Sequence, residues 1–287
     1  MIPGVDTDSI VYLNGQFLPL ADAKISVLDR GFIFGDGIYE VVPAYNGKPF
    51  RMSGHLDRLE RSLAAIGIQA PFDRQGWESL ARDVLDRNGG GDLMVYMQIT
   101  RGVAKREHAF PAGVTPTVFC MASPFSRPTA QVREQGLSVV SLPDERWLHC
   151  EIKSVSLLGN VLAKQHAVQA GVDEVVQFRD GFMSEGALSN IWVVKNGTLL
   201  APPKNNLILE GIRYGLMQEL AEAAGIPFEA RPIAQSEVEQ ADELMLTGAT
   251  KEVLPITRYN GRPVGAGMPG PVYAKLRAGY DQALAAL

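Results

Sequence analysis

The sequence predicts a protein of the α/β class with α+β character, in which hairpin-rich mixed sheets are flanked by helices. The first observation is size, since 287 residues with 46% hydrophobic content exceed one small core and suit two domains. The second is a set of segments with apolar residues at helical spacing. The third is a set of Asn-Gly pairs, which favour the positive backbone angles of tight hairpin turns. These pairs are Asn14-Gly15, Asn46-Gly47, Asn196-Gly197 and Asn260-Gly261.

The domain boundary is predicted in SPFSRPTAQ, Ser123 to Gln131, a polar segment that carries two prolines and lies between two apolar strands. We therefore expect an N-terminal α/β domain over residues 1–123, a linker over 124–131 and a C-terminal domain over 132–287.

Charge and cysteine content narrow the possible partners and location. Lys and Arg total 27 against 32 Asp and Glu, a net charge of -5, and no long run of either sign occurs. A small-molecule substrate is therefore expected, and neither nucleic acid nor a membrane is expected as a partner. With only Cys120 and Cys150, and no basic segment followed by an apolar stretch at the N-terminus, we expect no disulfides and no signal peptide. The expected location is the cytoplasm, and no metal site is predicted.

The N-terminal half contains a glycine-rich piece, DRGFIFGDG from Asp29 to Gly37, which is interpreted as a tight loop before a hairpin strand. It is an unconvincing phosphate cradle because it leads into a strand, whereas phosphate loops open a helix. A helix follows, in which Arg58 lies beside the apolar stripe and Arg61 lies opposite, so Arg58 is expected to face inward. The stripe consists of Leu56, Leu59, Leu63 and Ile66.

Lys153, in the stretch RWLHCEIKSVSLLGN, is the main catalytic candidate. It lies between a segment of strand composition, GLSVVSL, and an apolar helix that Gly171 ends. A lysine becomes a covalent catalyst when packing fixes its amine and neighbours lower its pKa, so that it forms a Schiff base with a carbonyl. Taken alone, a lysine is far more often a solvated surface charge.

Two further features fit a pyridoxal phosphate site. Glu185 precedes Gly186 in MSEGALSN, where a glycine lets a flat ligand approach the backbone, and its carboxylate could keep a pyridine nitrogen protonated. Gly211 precedes an apolar helix that ends at Gly225, and a glycine at a helix start lets an anion approach free N–H groups. Together with Lys153 and an inward Arg58, these residues supply each contact that the cofactor requires.

At this point the sequence resembles the fold-type IV pyridoxal-phosphate enzymes, with D-amino-acid aminotransferases as the nearest subgroup. The matching motifs are HLDRL, the Lys153 segment with LLGNVLAKQ, SEGALSN and LEGIR, in order and spacing, over about Gly31 to Gly261. The resemblance implies two α/β domains with the cofactor in the cleft between them, the C-terminal one binding pyridoxal phosphate. It also implies a homodimer with the active site at the subunit interface.

The resemblance also assigns roles to individual residues. Lys153 matches the Schiff-base lysine, and Glu185 matches the partner of the pyridine nitrogen. Arg58 matches a phosphate ligand, and Leu209 matches the residue packed under the ring. The remaining cofactor contacts come from the N–H groups of Ile212 and Arg213 at the helix start and from the turn of Gly248, Ala249 and Thr250.

The substrate carboxylate site decides the subgroup. In the D-amino-acid enzymes a tyrosine of the GDGxYE stretch and an Arg-x-His pair hold the carboxylate, and the pair comes from the partner subunit. Tyr39, Arg106 and His108 stand in those positions. Without the resemblance, REH on a loop would be interpreted as a solvated charge cluster.

The chain departs from that subgroup at several positions. Arg213 replaces a threonine, and it could either supply charge to the phosphate or point to solvent. Residues without hydroxyl groups replace hydroxyl-bearing ones at Ala187, Leu188, Gly248 and Ala249.

The predicted function is a ping-pong transfer of the amino group from D-amino acids such as D-alanine to 2-oxo acids such as 2-oxoglutarate and pyruvate. The alternatives on the same scaffold are an R-selective amine transaminase and aminodeoxychorismate lyase, and Arg106 with His108 speaks against both. A non-catalytic binding protein is the alternative from another class.

Overall fold

The computed structural model describes residues 3–287, in two compact units that are described separately. The first unit runs to Ser126 and also includes Ile152–Ser156. The second comprises Arg127–Glu151 and Leu157–Leu287. The predicted domain limits, 1–123 and 132–287, stay a prediction, and residues 1–2 lie outside the described part. Within residues 3–287, no helix is both long and apolar enough to cross a membrane.

The first unit is built on one antiparallel sheet of six strands in the order β2-β1-β6-β5-β3-β4. The strands are β1 (Ile10–Leu13), β2 (Gln16–Pro19), β3 (Gly37–Tyr45), β4 (Lys48–Pro49), β5 (Leu93–Thr100) and β6 (Thr117–Pro124). The helices are α1 (Arg30–Phe34), α2 (Met52–Ala65) and α3 (Arg74–Arg87), with a short 3-10 turn at Leu20–Asp22. The two predicted Asn-Gly turns of this unit are present, since Asn14 and Asn46 both have positive φ.

Alternation along the long strands decides which face of this sheet is buried. Successive side chains point to opposite faces, so one set of positions in β3, β5 and β6 is buried, and the middle positions of the other set are half-exposed. The buried set packs against the apolar faces of α2 and α3. That core includes Ile38, Val42, Val95, Met97, Ile99, Leu56, Leu59, Leu63, Trp77 and Val84.

The glycine-rich DRGFIFGDG piece is not only a loop, because Arg30–Phe34 within it forms the short helix α1. Asp29 begins this helix by accepting a hydrogen bond from the Gly31 N–H at 2.8 Å. Gly35 ends it in the left-handed conformation, with φ of +66°. The helix is only five residues long, so apolar periodicity could not reveal it.

The second unit contains a mixed sheet of nine strands, in the order β12-β11-β10-β13-β14-β7-β8-β9, with β15 pairing with β14. The strands are β7 (Leu137–Pro143), β8 (Glu174–Arg179), β9 (Phe182–Met183), β10 (Asn190–Lys195), β11 (Thr198–Ala201), β12 (Phe228–Ala230), β13 (Glu243–Gly248), β14 (Glu252–Tyr259) and β15 (Arg262–Pro263). The helices are α4 (Ala130–Gln135), α5 (Leu158–Gln169), α6 (Ile212–Ala223), α7 (Gln235–Glu239) and α8 (Pro271–Ala285). The predicted linker, 124–131, therefore ends inside α4.

Helix α5 connects the parallel strands β7 and β8, as a crossover helix must. Its sequence is apolar, but only Ala163 and Ala167 are buried. Small side chains let the helix approach the sheet closely, so the larger apolar residues lie on its outer side. Their exposed fractions are 71% for Leu158, 58% for Val161, 62% for Leu162 and 59% for Val168.

Candidate active site

Lys153 lies in the irregular segment between β7 and α5, in the short piece of chain that belongs to the first unit. Its backbone N–H donates to Ser62 Oγ at 3.2 Å, and its carbonyl accepts from the Tyr39 N–H at 2.9 Å. The amine Nζ lies 3.9 Å from the centre of the Tyr39 ring. Ser154 forms a bridge with Ile38, so this piece of chain pairs with the start of β3. The lysine is thus fixed at its backbone and at its amine.

Arg58 is buried on α2, as the helical wheel predicts, and Arg61 is exposed. The Arg58 guanidinium donates from Nε and Nη2 to the two oxygens of Glu40, at 2.7 and 2.9 Å. His55 Nδ1 lies 2.8 Å from the same carboxylate. Burial acts to raise the pKa of Glu40, but Arg58 and His55 outweigh it and hold this pKa well below its ordinary value. The predicted role of Arg58 as a phosphate ligand stays a prediction.

Glu185 and Leu209 lie together in the second unit. Glu185 is 5% exposed, and its Oε2 accepts from the Leu209 N–H and from Asn190 Nδ2, both at 3.1 Å. Asn190 also donates to the Leu209 carbonyl at 2.9 Å. One amide side chain therefore joins the predicted partner of the pyridine nitrogen to the residue predicted to lie under the ring.

Arg146 is a residue whose part in this site the sequence analysis missed. It forms an ion pair through Nη1 with Glu185 Oε1, and it donates from Nε and Nη2 to Asp144, both at 2.9 Å. Asp144 also accepts from Ser184 Oγ at 2.8 Å. Burial raises the pKa of Glu185 to about 7, although Arg146 and the Leu209 N–H act to lower it. The only sequence signal was that Arg146 begins the segment that leads to Lys153.

Gly186 has a local structural role in the turn that follows Glu185. Its N–H donates to the Ser189 carbonyl at 2.7 Å. A Cβ at this position would overlap Ser189 Oγ, so only glycine fits without a shift of that side chain. The expectation that Gly186 admits a flat ligand stays a prediction.

The start of helix α6 has the features that suit an anion. Gly211 is its N-cap, and among the described residues no side chain caps this end. The first N–H groups of a helix point out of its N-terminus, and a glycine N-cap leaves room there for an anion such as a phosphate. A Cβ on Gly211 would overlap Asn190 Oδ1, so glycine is required here.

Arg213 does not point to solvent, since only 2% of it is exposed. Its Nη2 donates to the Ala249 carbonyl at 3.0 Å, and its Nε donates to Tyr280 Oη at 3.3 Å. Arg213 thus ties the start of α6 to the turn of Gly248, Ala249 and Thr250, which is half-exposed.

The three predicted substrate residues are divided in the described chain. Tyr39 contacts Lys153, whereas Arg106 and His108 are exposed and lie against Phe34. The Arg106 guanidinium carbon is 5.5 Å from the Phe34 ring centre, and the His108 and Phe34 ring centres are 5.3 Å apart. Within residues 3–287 of one chain, no hydrogen bond, ion pair or ring contact joins Tyr39 to either of them.

Comparison with known families identifies the chain. The sequence model of one protein family, amino-transferase class IV, matches residues 37–259. The chain belongs to the class IV aminotransferase family. It is therefore an enzyme of the aminotransferase type, as predicted, and not a non-catalytic binding protein.

Individual relatives agree with this membership. A D-alanine aminotransferase of Staphylococcus aureus is 38% identical over 273 residues, covering 95% of this chain and 96% of the relative. A branched-chain amino acid aminotransferase from T.th., solved with pyridoxamine 5'-phosphate, is 25% identical with a TM-score of 0.89, covering 96% of this chain and 93% of the other. A fold IV transaminase from Curtobacterium pusillum is 27% identical with a TM-score of 0.79, covering 92% of each chain. The predicted fold class and resemblance are confirmed.

Replacing Glu185 by Gln should flatten the pH dependence of stability in this class IV aminotransferase when it is freed of cofactor. A carboxyl whose pKa folding raises, here from 4.5 to about 7, binds its proton more tightly in the folded chain. The free energy of unfolding should therefore fall as pH rises from 4.5 to about 7. Glu185→Gln should remove up to about 3 kcal/mol of this decrease. Urea unfolding at several pH values measures it. Glu222→Gln, an exposed change on α6, is the control, and identical slopes for wild type and Glu185→Gln would contradict the expectation.

Proposed function

We propose that this chain is a pyridoxal 5'-phosphate-dependent transaminase that moves the amino group of D-amino acids such as D-alanine to 2-oxo acids such as 2-oxoglutarate and pyruvate. The observation that carries the proposal is the fixed amine of Lys153 against the Tyr39 ring, in a chain that matches D-alanine aminotransferases over nearly its whole length. The two half-reactions follow a ping-pong order, since one site serves the amino donor and then the oxo acid.

The residues present fit this cofactor. The N-terminus of α6 suits its phosphate, with the N–H groups of Ile212 and Arg213 as donors. Arg58, in the first unit, is assigned to the phosphate by the family resemblance. The turn of Gly248, Ala249 and Thr250 is joined to that helix start through Arg213, whose charge lies near the place of the missing hydroxyl groups. When bound, pyridoxal phosphate supplies an electron sink that stabilises negative charge on the substrate α carbon.

Lys153 has two tasks in this proposal. Its Nζ would hold the cofactor until the substrate amine arrives. It would then be the base that takes the α proton of the substrate. Tyr39 keeps the amine in one place for both steps, because its ring contacts Nζ and its N–H binds the Lys153 carbonyl.

Glu185 would hold a proton at the pyridine nitrogen of the cofactor, and Leu209 would lie under its ring. A carboxylate does this only when it is ionised, and burial opposes ionisation. The Arg146 guanidinium and the N–H donors of Leu209 and Asn190 favour the ionised form. Arg146 thus acts through Glu185 and supports its function.

Arg106 and His108 bind the substrate carboxylate together with Tyr39. A guanidinium grips a carboxylate through two charge-assisted hydrogen bonds, and the imidazole and phenol complete the site. Since the described chain does not bring the pair to Tyr39, we assign Arg106 and His108 of each chain to the site of a second copy, as the family resemblance implies. Fixing the carboxylate on one side determines which face of the substrate carbon gains the proton. The presence of Arg106 and His108 therefore speaks against both alternatives, the R-selective amine transaminase and aminodeoxychorismate lyase.

A homodimer is supported by the outer face of α5, which exposes four large apolar side chains by more than half: Leu158, Val161, Leu162 and Val168. A large apolar patch on a protein surface usually marks an interaction site. A second copy of the chain is the occupant that fits the proposed sharing of Arg106 and His108. A cytoplasmic location is supported by Cys120 and Cys150, which are both buried free thiols.

Lys153→Ala should bind the cofactor and lose turnover, because it removes the amine proposed to move the α proton. The measurement is the rate of pyruvate formation from D-alanine, together with cofactor content by absorbance. Lys24→Ala, at an exposed lysine of the same unit, is the control and should keep wild-type activity. A loss of less than about tenfold, which is about 1.4 kcal/mol of transition-state stabilisation, would rule out this role for Lys153.

Arg106→Lys should raise KM for D-alanine and for 2-oxoglutarate by roughly tenfold or more, because lysine cannot form the paired hydrogen bonds. Amines without a carboxylate should be affected little. The measurement is a panel of paired D- and L-amino acids and simple amines, with pyruvate and 2-oxoglutarate as acceptors. Arg82→Lys, on the exposed side of α3, is the matched control. A preference of the wild type for L-amino acids, or an equal effect on simple amines, would favour the amine-transaminase alternative.

Leu162→Glu should weaken the dimer, because it places a charge in the apolar outer face of α5. Sedimentation velocity over a range of protein concentrations should show a dissociation constant raised at least about tenfold. Gln165→Glu adds the same charge at an exposed polar position of the same helix and serves as the control. If both variants sediment like the wild type, this face is not the interface.

A further inference from the structure

The segment that carries Arg106 and His108 has no regular structure of its own. It joins β5 to β6, and residues 105–110 are all exposed. Two side chains on such a segment can bind one carboxylate well only if the backbone between them is held in place. The contacts that hold it come from the same unit, from the glycine-rich DRGFIFGDG piece.

Arg30 binds the backbone of this segment directly. Its Nη1 donates to the Glu107 carbonyl, and its Nη2 donates to the His108 carbonyl at 3.3 Å. Its Nε donates to Asp36 Oδ2 at 2.7 Å. Arg30 is only 3% exposed, and each of its three nitrogen atoms has a partner, so it is not itself placed to receive substrate.

Asp36 connects Arg30 to a second buried arginine. Arg101 donates to Asp36 from Nε at 2.8 Å and from Nη2 at 3.0 Å. Arg101 also donates to the carbonyls of Ile66 and Gly67, at 2.7 and 3.3 Å, just after α2. A continuous set of charge-assisted hydrogen bonds therefore runs from a helix end to the exposed segment.

Phe34, on the same short helix as Arg30, supplies the surface on which the substrate pair lies. Both the Arg106 guanidinium and the His108 ring are within 5.5 Å of its ring centre. Within the described residues Arg106 makes no hydrogen bond, so the Phe34 ring orients its guanidinium and leaves its donors available for a carboxylate.

We propose that Arg30, held by Asp36, is a positioning residue for recognition of the substrate carboxylate. By binding the carbonyls of Glu107 and His108, it sets the distance and direction of Arg106 and His108. The inference rests on the proposed function of Arg106 and His108, and it adds Arg30 and Asp36 to the residues that determine substrate recognition. The DRGFIFGDG piece thus selects substrate through the backbone of a neighbouring segment.

Arg30→Lys tests this directly, since lysine keeps the charge for Asp36 but cannot bind two carbonyls and a carboxylate in one plane. In the holoenzyme, KM for D-alanine and 2-oxoglutarate should rise roughly tenfold, and kcat should change less than about threefold. In an Arg106→Ala background, the same change should raise KM less than about twofold, because the residue it positions is gone. An equal effect of Arg30→Lys in both backgrounds, or a fall in kcat with KM unchanged, would overturn the proposal. Arg82→Lys is the matched control.

Hydrogen exchange separates a failure of this inference from a failure of the proposed function. Arg30→Lys should speed exchange at the amides of residues 103–110 and leave α3 unchanged, whatever the substrate is. Unchanged exchange at 103–110 overturns the positioning role. Faster exchange with no change in KM overturns the role of Arg30 in recognition if Arg106→Lys still raises KM. If Arg106→Lys also leaves KM unchanged, it is the proposed function of the Arg106 and His108 pair that fails. Phe34→Leu, which leaves the buried ion pairs in place, is the second variant if Arg30→Lys does not fold, and it should raise KM by about threefold or more.

Discussion

The pairing of buried carboxylates with arginines is the constraint on which the functional parts of this protein depend. Glu40 holds Arg58, Asp36 holds Arg30 and Arg101, and Asp144 holds Arg146. Breaking such a pair leaves a buried charge without a partner, which typically costs about 3–5 kcal/mol. Each pair therefore fixes the direction of a side chain more strongly than apolar packing alone would, and planar guanidinium groups add geometric specificity.

Pairing of a buried carboxylate with arginines also stabilises the turn of Gly248, Ala249 and Thr250, which contacts the start of α6 through Arg213. Glu252 lies two residues after that turn, is fully buried and has a positive φ of 56°. Arg277 donates to it at 2.7 Å, Arg127 at 2.8 Å and Arg133 at 3.1 Å. A non-glycine residue keeps this backbone conformation only where its surroundings impose it. The turn is thus held by charge at one end and by the Arg213 contact with Ala249 at the other.

Much of this arrangement could be predicted from the sequence where the signal is local. The Asn-Gly turns and the glycines that end α5 and α6 were found because they depend on backbone angles that few residues adopt. The inward position of Arg58 followed from helical periodicity. Arg146 was missed because its role depends on a partner, Glu185, that is distant in the sequence. The exposed outer face of α5 could not be predicted, because periodicity identifies an apolar stripe and does not say which surface covers it.

Gly211 and Asn190 link two chemically different requirements of the cofactor site. No side chain larger than hydrogen fits at residue 211 without moving Asn190, and Asn190 is the amide that binds both Glu185 and Leu209. In the proposed site, a change at residue 211 would therefore also disturb the contacts of Glu185, the residue assigned to the ring nitrogen. On this proposal, an engineer who reshapes the helix start to accept another anion would also change the electronic character of the bound ring. Altered cofactor preference and altered reaction outcome should accordingly evolve together in this scaffold.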